Sequence, residues 1–218
     1  MTDVHEGFEA IYADAHLLVL IKPAGLLSVP GKGADKQDCL STRVQKHHAG
    51  ALIVHRLDMA TSGLMLMALK PEMQTALARL FEVRKIRKRY VAVVDGLMQT
   101  GAAGADWQLI DLPIAPDWPN RPLRVIRADG KPSQTRWRAL HQDAAAKTTR
   151  LELEPVTGRS HQLRVHLKAL GHPILGDRLY APVDTQTKAS RLLLHARALR
   201  FVHPVSDAVL SFQSPPTF

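Results

Sequence analysis

The length and composition of this chain indicate a globular protein with a core of its own. It has 218 residues, of which 45% are hydrophobic, and this is enough apolar surface for folding without a partner. No apolar stretch approaches the roughly 20 residues that cross a bilayer. Acidic residues also stand where a signal peptide would be basic and then apolar. We therefore expect a soluble, cytoplasmic protein.

The charge and cysteine content narrow the classes of partner and site. Lys and Arg number 29 against 20 acidic residues, and the formal net charge of +9 favours a polyanionic partner, with nucleic acid as the first candidate. Charge alone leaves open a generally basic protein with no such partner. The single cysteine, Cys39, excludes an internal disulfide and a CxxC zinc or iron–sulfur site.

The N-terminal third is predicted to contain strands, a shaped loop and a short helix. Residues 8–14 and 16–21 mix β-branched and aromatic residues over the length of a strand. Residues 22–31 follow with prolines and glycines at a density that predicts a loop of fixed shape. A short helix is predicted over residues 42–48.

Two continuous apolar runs flank the most unusual segment of the chain. Residues 51–55 (ALIVH) and 63–69 (GLMLMAL) predict strands buried on both faces. Arg56 and Asp58 lie in the connection between them. Because catalytic groups tend to lie on loops held by rigid elements, we interpret this connection as a candidate site.

A helix followed by a basic run is predicted next. Pro71 suits the first position of a helix extending to residue 83, and apolar residues recur in it at three- and four-residue spacing. Residues 84–89 (RKIRKR) then contain five basic residues. Phosphate contact through Lys85, Arg87 and Lys88 would relieve their mutual repulsion. The alternative is a solvated helix end, where cations suit the helix dipole.

The next segment combines a strand with a proline-rich loop. Residues 90–95 predict a strand and residues 96–105 a turn of small residues. Residues 111–122 contain four prolines, with Trp118 near Arg121. This pattern predicts a rigid projecting loop with a surface on which bases could stack. A tryptophan that closes the edge of the core is the alternative.

The C-terminal part is predicted to hold three strands and one helix. Residues 135–140, 149–154 and 192–202 have strand patterns, and residues 181–190 are polar, weakly patterned and expected to be mobile. Ser160 is the predicted N-cap of a helix that ends at Gly171. Arg164 falls in its first turn, against the helix dipole, so we expect an anion beside it, with Asp58 as the candidate.

Several chemistries are excluded by the motifs. The chain has no dinucleotide-binding, P-loop or nucleophile-elbow motif. His161 and His166 are five residues apart, whereas helical metal ligands are typically four apart, and no metal site is predicted. No second constrained acid accompanies Asp58, which argues against a paired-carboxylate glycosidase. The remaining pattern is a basic protein with one unusual aspartate, and it does not name a reaction.

Seven segments of the chain closely resemble the RluA family of pseudouridine synthases, in the family's order. They are residues 22–26 (KPAGL), 55–64 (HRLDMATSGL), 88–90 (KRY), 158–166 (GRSHQLRVH), 171–173 (GHP), 176–177 (GD) and 192–196 (LLLHA). The loop at residues 117–122 (DWPNRP) resembles the short RluA-type subgroup without an S4 domain. The resemblance implies an α+β fold: a single pseudouridine-synthase catalytic domain over residues 1–218, with a long, mixed, mostly antiparallel sheet flanked by helices and loops. It also implies two sub-halves around a central active-site cleft.

The resemblance further implies roles for individual residues. Asp58 attacks the target uridine, at either C6 of the base or C1′ of the ribose, and Arg164 pairs with Asp58. Tyr90 stacks on the flipped base and takes part in proton transfer, and Arg56 fills the gap left in the RNA stack. The other predicted substrate-binding residues are Lys85, Arg87, Lys88, Trp118, Arg121, Arg159 and His161.

The expected substrate is a uridine in an RNA loop, where flipping a base costs least. The resemblance implies dual use of a 23S ribosomal RNA hairpin and a tRNA anticodon stem-loop. The oligomeric state is open, with a monomer as the default, and no DNA substrate is expected. No cofactor is expected because the isomerisation is redox-neutral. The alternative function is an RNA-binding or RNA-folding module with a vestigial site. The joint presence of Asp58, Tyr90 and Arg164 favours the enzyme.

Overall fold

The structure is a computed structural model that describes residues 3–5, 8–99 and 106–218. The strands are β1 Asp3–His5, β2 Phe8–Ala13, β3 Leu17–Lys22, β4 Leu52–Ile53, β5 Ser62–Ala68, β6 Arg87–Asp95, β7 Gln108–Asp111, β8 Ile114–Pro116, β9 Arg124–Ile126, β10 Gln134–Asp143, β11 Thr148–Pro155, β12 Leu194–Val202 and β13 Val209–Gln213. The helices are α1 Leu40–Gln45, α2 Pro71–Glu82, α3 Gln162–Ala169 and α4 Val183–Thr187, with a short 3₁₀ turn at Ala34–Lys36. Residues 100–105 of the predicted turn at 96–105 lie outside the described residues.

The chain divides into two compact units. Unit 1 comprises Met1–Lys88 and Ala196–Thr217, and unit 2 comprises Arg89–His195 together with Phe218. The strand pairs described below are antiparallel in both units, and the helices are few. This confirms the predicted α+β class with a mostly antiparallel sheet. The prediction of one catalytic domain over residues 1–218, in two sub-halves, stays a prediction.

Unit 1 is built around the fully buried strand β5. Its sheet has the order β1-β2-β3-β5-β12, with β13 paired to β12 and β4 paired to β5. All seven residues of β5 are buried, because β3 covers one edge of the strand and α2 packs against it. Met73 and Leu77 of α2 enter the same apolar core as Leu64 and Leu66 of β5. The predicted strand β5 and helix α2 are therefore confirmed.

The predicted strand over residues 51–55 is mostly wrong. Only Leu52 and Ile53 form β4, and both are half-buried. They pair with Ala68 and Met67 at the end of β5. Since β3 occupies one edge of β5 and β12 takes part of the other, only this short stretch of β5 is left for β4.

Unit 2 contains an antiparallel sheet with the order β6-β11-β10-β7 and a separate hairpin of β8 and β9. Helix α3 contacts β9, β10 and β11. The alternating sequence of β11 suggests an exposed Glu152, yet this residue is only 3% exposed. Arg138 binds its carboxylate with two hydrogen bonds of 2.8 and 2.6 Å, and Arg89 approaches it at 3.3 Å. These cations allow a carboxylate to be buried where periodicity predicts exposure.

The segment at residues 181–190 is more regular than its sequence suggests. It contains α4, in which Thr185 is 4% exposed. The Thr185 carbonyl accepts the Gly176 N–H, and its hydroxyl donates to Asp95, which also binds Lys188 at 2.6 Å. The sequence pattern did not indicate α4, and the expectation that residues 181–190 are mobile stays a prediction. Across the part of the chain that the structure describes, no helix is long and apolar enough to span a membrane.

The tight approach of β12 to Gly63 gives a test of unit 1. Gly63 has φ +113, and a Cβ on it would collide with the backbone of Ala196. Gly63→Ala should lower the free energy of unfolding by roughly 3 kcal/mol or more, since neither backbone can retreat easily. Urea denaturation measures the change.

Gly25→Ala is the matched control. Gly25 also has a positive φ, +86, but no atom lies within 4 Å of the position that an added Cβ would take. Its substitution should cost only about 1 kcal/mol, from the left-handed conformation alone. Equal losses in the two variants would contradict the close approach at Gly63.

Candidate active site

The loop that carries Asp58 is held by hydrogen bonds from the Pro/Gly loop of unit 1. The Ser28 hydroxyl donates to the Leu57 carbonyl at 2.7 Å and accepts the Leu57 N–H at 3.1 Å. Leu57 is buried, while Arg56 is exposed and Asp58 is half-buried. One inward-facing residue therefore anchors the loop and leaves its charged neighbours toward the surface.

A buried lysine supports the other side of Asp58. Lys22 is 0% exposed, and its ammonium donates to the carbonyls of Pro23, Leu26 and Met59 at 2.8, 2.7 and 3.0 Å. The Met59 carbonyl also accepts the Gly25 N–H at 2.8 Å. Lys22 opens the shaped loop and the KPAGL segment that resembles the family, but no role was predicted for it. Asp58 therefore lies between Leu57 and Met59, whose backbone groups are hydrogen-bonded to Ser28 and Lys22.

His55 anchors the start of the same loop to β5. Its Nε2 accepts the Leu66 N–H at 2.9 Å, and its ring lies 4.5 Å from that of Phe81. Burial of the ring, and then the charge of Lys88, lower the pKa of His55 to about 3. The imidazole is consequently neutral at pH 7 and acts as an acceptor rather than as a cation.

The predicted basic run separates into exposed and packed side chains. Lys85 and Arg87 are exposed, whereas the Lys88 ammonium lies 5.7 Å from the Phe81 ring centroid and its pKa is lowered by burial. Arg89 is bound to Glu152 and Glu154 at 3.3 and 3.4 Å. Because β6 begins at Arg87, the interpretation of the run as a helix end is wrong for its second half.

Helix α3 of unit 2 begins one residue later than a Ser160 cap would place it. The N-cap is His161, in the left-handed conformation with φ +57. At the other end the Gly171 and His172 N–H groups bind the Lys168 and Leu167 carbonyls, the Schellman pattern, which confirms Gly171 as the terminator. Arg164 lies in the first turn, as predicted.

The anion that the dipole argument requires beside Arg164 is present within unit 2 as Asp177. Its carboxylate accepts from Nε and one terminal nitrogen of Arg164 at 2.8 and 2.6 Å, with side-chain exposures of 1% and 4%. The N–H groups of Leu179 and Tyr180 also donate to Asp177. The sequence signal that could have identified Asp177 is its position in the Gly-Asp motif at residues 176–177. Pairing of Arg164 with Asp58, which belongs to unit 1, stays a prediction.

The remaining predicted site residues lie in unit 2. Tyr90 is half-buried on β6, opposite Leu153 of β11. Arg159 is exposed and its guanidinium lies 3.4 Å from the Pro132 carbonyl. Among the described residues, no group of three or more His, Cys, Asp or Glu side chains could hold a metal ion.

The proline-rich segment forms the tip of the β8–β9 hairpin. Trp118 is 58% exposed, and the Arg121 guanidinium lies 3.7 Å from its ring centroid. The alternative of a tryptophan closing the core is therefore wrong. A stacked Trp–Arg pair on an exposed tip offers an aromatic face and a cation together, which suits contact with nucleic acid bases and phosphates.

Comparisons with known proteins agree with these features. The family model described as RNA pseudouridylate synthase matches residues 16–169. The dual-specificity RNA pseudouridine synthase RluA of Escherichia coli strain K12 is 47% identical over 209 residues, covering 95% of this chain and 93% of that protein. The protein of the same name from Vibrio vulnificus strain CMCP6 is 46% identical, covering 96% and 84%.

Solved structures show the same fold. The human RNA pseudouridylate synthase domain containing 1 superposes with a TM-score of 0.77 at 28% identity, covering 96% of this chain and 83% of that one. The human RNA pseudouridylate synthase domain containing 4 has a TM-score of 0.73 at 24% identity, covering 95% and 88%. The family match spans most of the chain and the curated relatives match nearly all of it, so this chain belongs to the RNA pseudouridylate synthase family.

Proposed function

We propose that this member of the family isomerises uridine to pseudouridine in stem-loops of both ribosomal and transfer RNA, with Asp58 as the nucleophile. The observation that carries the proposal is the setting of Asp58. Asp58 is half-buried on a loop whose backbone is held at Leu57 by Ser28 and at Met59 by Lys22. The relatives' description as dual-specificity enzymes supports the use of two RNA classes.

The reaction breaks the bond between N1 and C1′ of uridine and forms a bond between C5 and C1′. The proton on C5 leaves, and N1 of the detached uracil gains one, so that the product has the same composition as the substrate. An ionised Asp58 carboxylate would form a temporary bond to C6 or to C1′ while the uracil turns. No oxidant, reductant or cofactor enters this balance.

Arg164 and Tyr90 complete the proposed catalytic set. Arg164 would pair with Asp58 and orient it. The bond to Asp177 supports this role, because it holds two of the guanidinium nitrogens and so fixes the orientation of the guanidinium. Tyr90 would stack on the flipped base and accept or relay the C5 proton. A base leaves its stack at a cost of a few kcal/mol, so Arg56, exposed beside Asp58, would fill the gap.

RNA contacts outside the catalytic set are proposed for exposed cations and the hairpin tip. Lys85, Arg87 and Arg159 would bind phosphates, and Trp118 with Arg121 would stack on bases. Lys88 and His161 would also line the RNA, although both pack against neighbouring side chains. The proposal takes the protein to act as a monomer in the cytoplasm, on RNA and not DNA.

Replacing the proposed nucleophile tests the assignment. Asp58→Asn should reduce pseudouridine formation in a stem-loop RNA by about 10³-fold or more, because an amide cannot form the covalent bond. RNA affinity should change little, since shape and size are kept. Release of a C5 hydrogen label measures turnover, and Asp35→Asn, in the exposed 3₁₀ turn, is the control.

Two results would count against this proposal. Appreciable turnover by Asp58→Asn would remove Asp58 from the nucleophile's role. RNA binding without turnover by the unmodified protein would favour the alternative function, an RNA-binding module with a vestigial site.

The buried ion pair between Arg164 and Asp177 gives a stability prediction. Asp177→Asn should lower the free energy of unfolding by about 3 kcal/mol, because it leaves a buried guanidinium without its paired charge. Asp38→Asn, which breaks the exposed pair with Arg43, should have a clearly smaller effect. Equal midpoints for the two variants in urea denaturation would contradict the importance of the buried pair.

The exposed part of the basic run gives a prediction on salt dependence. Lys85→Ala with Arg87→Ala should reduce the slope of log affinity against log salt by about 1 to 2 units, as expected for two lost phosphate contacts. Arg79→Ala on α2, with a side chain 74% exposed and near Glu82, is the control and should leave the slope unchanged. An unaltered slope in the double variant would show that the run does not contact phosphates.

A further inference from the structure

Tyr180 joins the β8–β9 hairpin of unit 2 to helix α3 through one side chain. The residue is 4% exposed and follows the turn that carries Asp177. Its hydroxyl accepts the backbone N–H of Arg124 on β9 at 2.9 Å and lies 2.6 Å from Nδ1 of His161 at the start of α3. The hydroxyl therefore connects the hairpin to the N-terminus of the helix that carries Arg164.

The hydroxyl of Tyr180 is held from two sides. Its oxygen accepts the Arg124 N–H, and it shares a second hydrogen bond with Nδ1 of His161, whose direction follows the tautomer of the imidazole. His161 has φ +57, a conformation that costs energy for a residue with a side chain, so this bond helps to hold it there.

The bond to Arg124 also explains how the hairpin is attached. Arg124 lies opposite Pro116, and the next pair toward the tip is hydrogen-bonded through Asp117 N–H and the Leu123 carbonyl. Because hydrogen-bonded and non-hydrogen-bonded pairs alternate in an antiparallel ladder, the Arg124 N–H points away from β8. Tyr180 satisfies this outward donor. Apolar contacts of Tyr180, Ile114 and Val165 with Leu123 and Ile126 add to the attachment.

The ring of Tyr180 also reaches the proposed catalytic machinery. The centre of the Arg164 guanidinium lies 5.0 Å from the ring centroid, and Asp177, which binds Arg164, accepts the N–H of Tyr180 itself. One residue thus contacts the hairpin, His161 and Arg164. Replacing only its hydroxyl would remove the hydrogen bonds to the first two and leave the ring on the third.

We propose that Tyr180 is a positioning residue whose hydroxyl sets the place of the hairpin tip (residues 117–123) relative to His161, and thereby the recognition of RNA. This inference rests on the proposed function, because it takes the tip to contact the RNA. The hydroxyl acts on RNA binding through the tip. The ring keeps Arg164 in place for the chemical step. The expected signature is an effect on KM with little effect on kcat.

A double-mutant cycle tests the coupling. Tyr180→Phe should raise the KM for a stem-loop RNA by about tenfold while kcat stays within about twofold. In a protein that already carries Trp118→Ala and Arg121→Ala, the tip has lost its contacts, and adding Tyr180→Phe should raise KM by less than about twofold. Equal effects of Tyr180→Phe in the two backgrounds, or an unchanged KM, would overturn the proposal.

Amide hydrogen exchange gives a readout that does not depend on turnover. Tyr180→Phe should speed exchange at the Arg124 N–H, which loses its acceptor, and not at the Leu123 N–H, which binds the Asn120 carbonyl within the tip. Unchanged protection at Arg124 would contradict the proposed attachment. If Tyr180→Phe does not fold, Leu123→Ala loosens the same contact from the hairpin side and should show the same rise in KM.

The outcomes separate this inference from the proposed function. An unmodified protein that forms no pseudouridine would refute the function, whatever the exchange data show. An active unmodified protein with additive effects in the cycle would refute only the role of Tyr180.

Discussion

The buried ion pair between Arg164 and Asp177 is the interaction on which the rest of unit 2 depends. A guanidinium and a carboxylate that are almost fully removed from water must satisfy each other, because desolvation costs each ion several kcal/mol. Asp177 meets this requirement only if its turn is fixed, and the N–H groups of Leu179 and Tyr180 fix it. Helix α4 also holds this turn, because the Thr185 carbonyl accepts the Gly176 N–H.

Unit 1 also contains a buried cation, Lys22, that needs hydrogen-bond partners within the protein. Here a buried cation is surrounded by main-chain carbonyls, including those of Leu26 and Met59, so it joins two loops that would otherwise have few backbone partners. A lysine has three donors that can point in different directions, whereas the flat guanidinium of Arg164 matches a carboxylate edge. In unit 1 a buried cation holds the backbone next to a proposed catalytic residue, whereas in unit 2 the buried cation is itself one, and a carboxylate holds it.

The sequence predicted elements whose pattern is local and missed those defined by distant partners. Strand β5 and helix α2 follow from a continuous apolar run and from three- and four-residue spacing, and both are confirmed. The burial of Glu152 depends on Arg138, on a neighbouring strand, so periodicity within β11 cannot reveal it. Asp177 is 13 residues from Arg164, and only the motif at residues 176–177 marked it. The family motifs include the supporting residues Lys22, His55 and Asp177 as well as the catalytic candidates, but they do not show which partner each supporting residue binds.

The distribution of charge shows why net charge is an incomplete guide to RNA binding. Arg89 belongs to the basic run, yet Glu152 and Glu154 of the same protein compensate it, and Arg164 is buried against Asp177. Such cations count toward +9, but carboxylates of the same protein already compensate their charge, so they would contribute less to the attraction of phosphates. On the proposed function, exposed cations such as Arg56 and Lys85 would carry a larger share of the attraction than their number suggests. Electrostatic attraction to RNA consequently depends on the arginines and lysines whose charge is not compensated by carboxylates of the same protein.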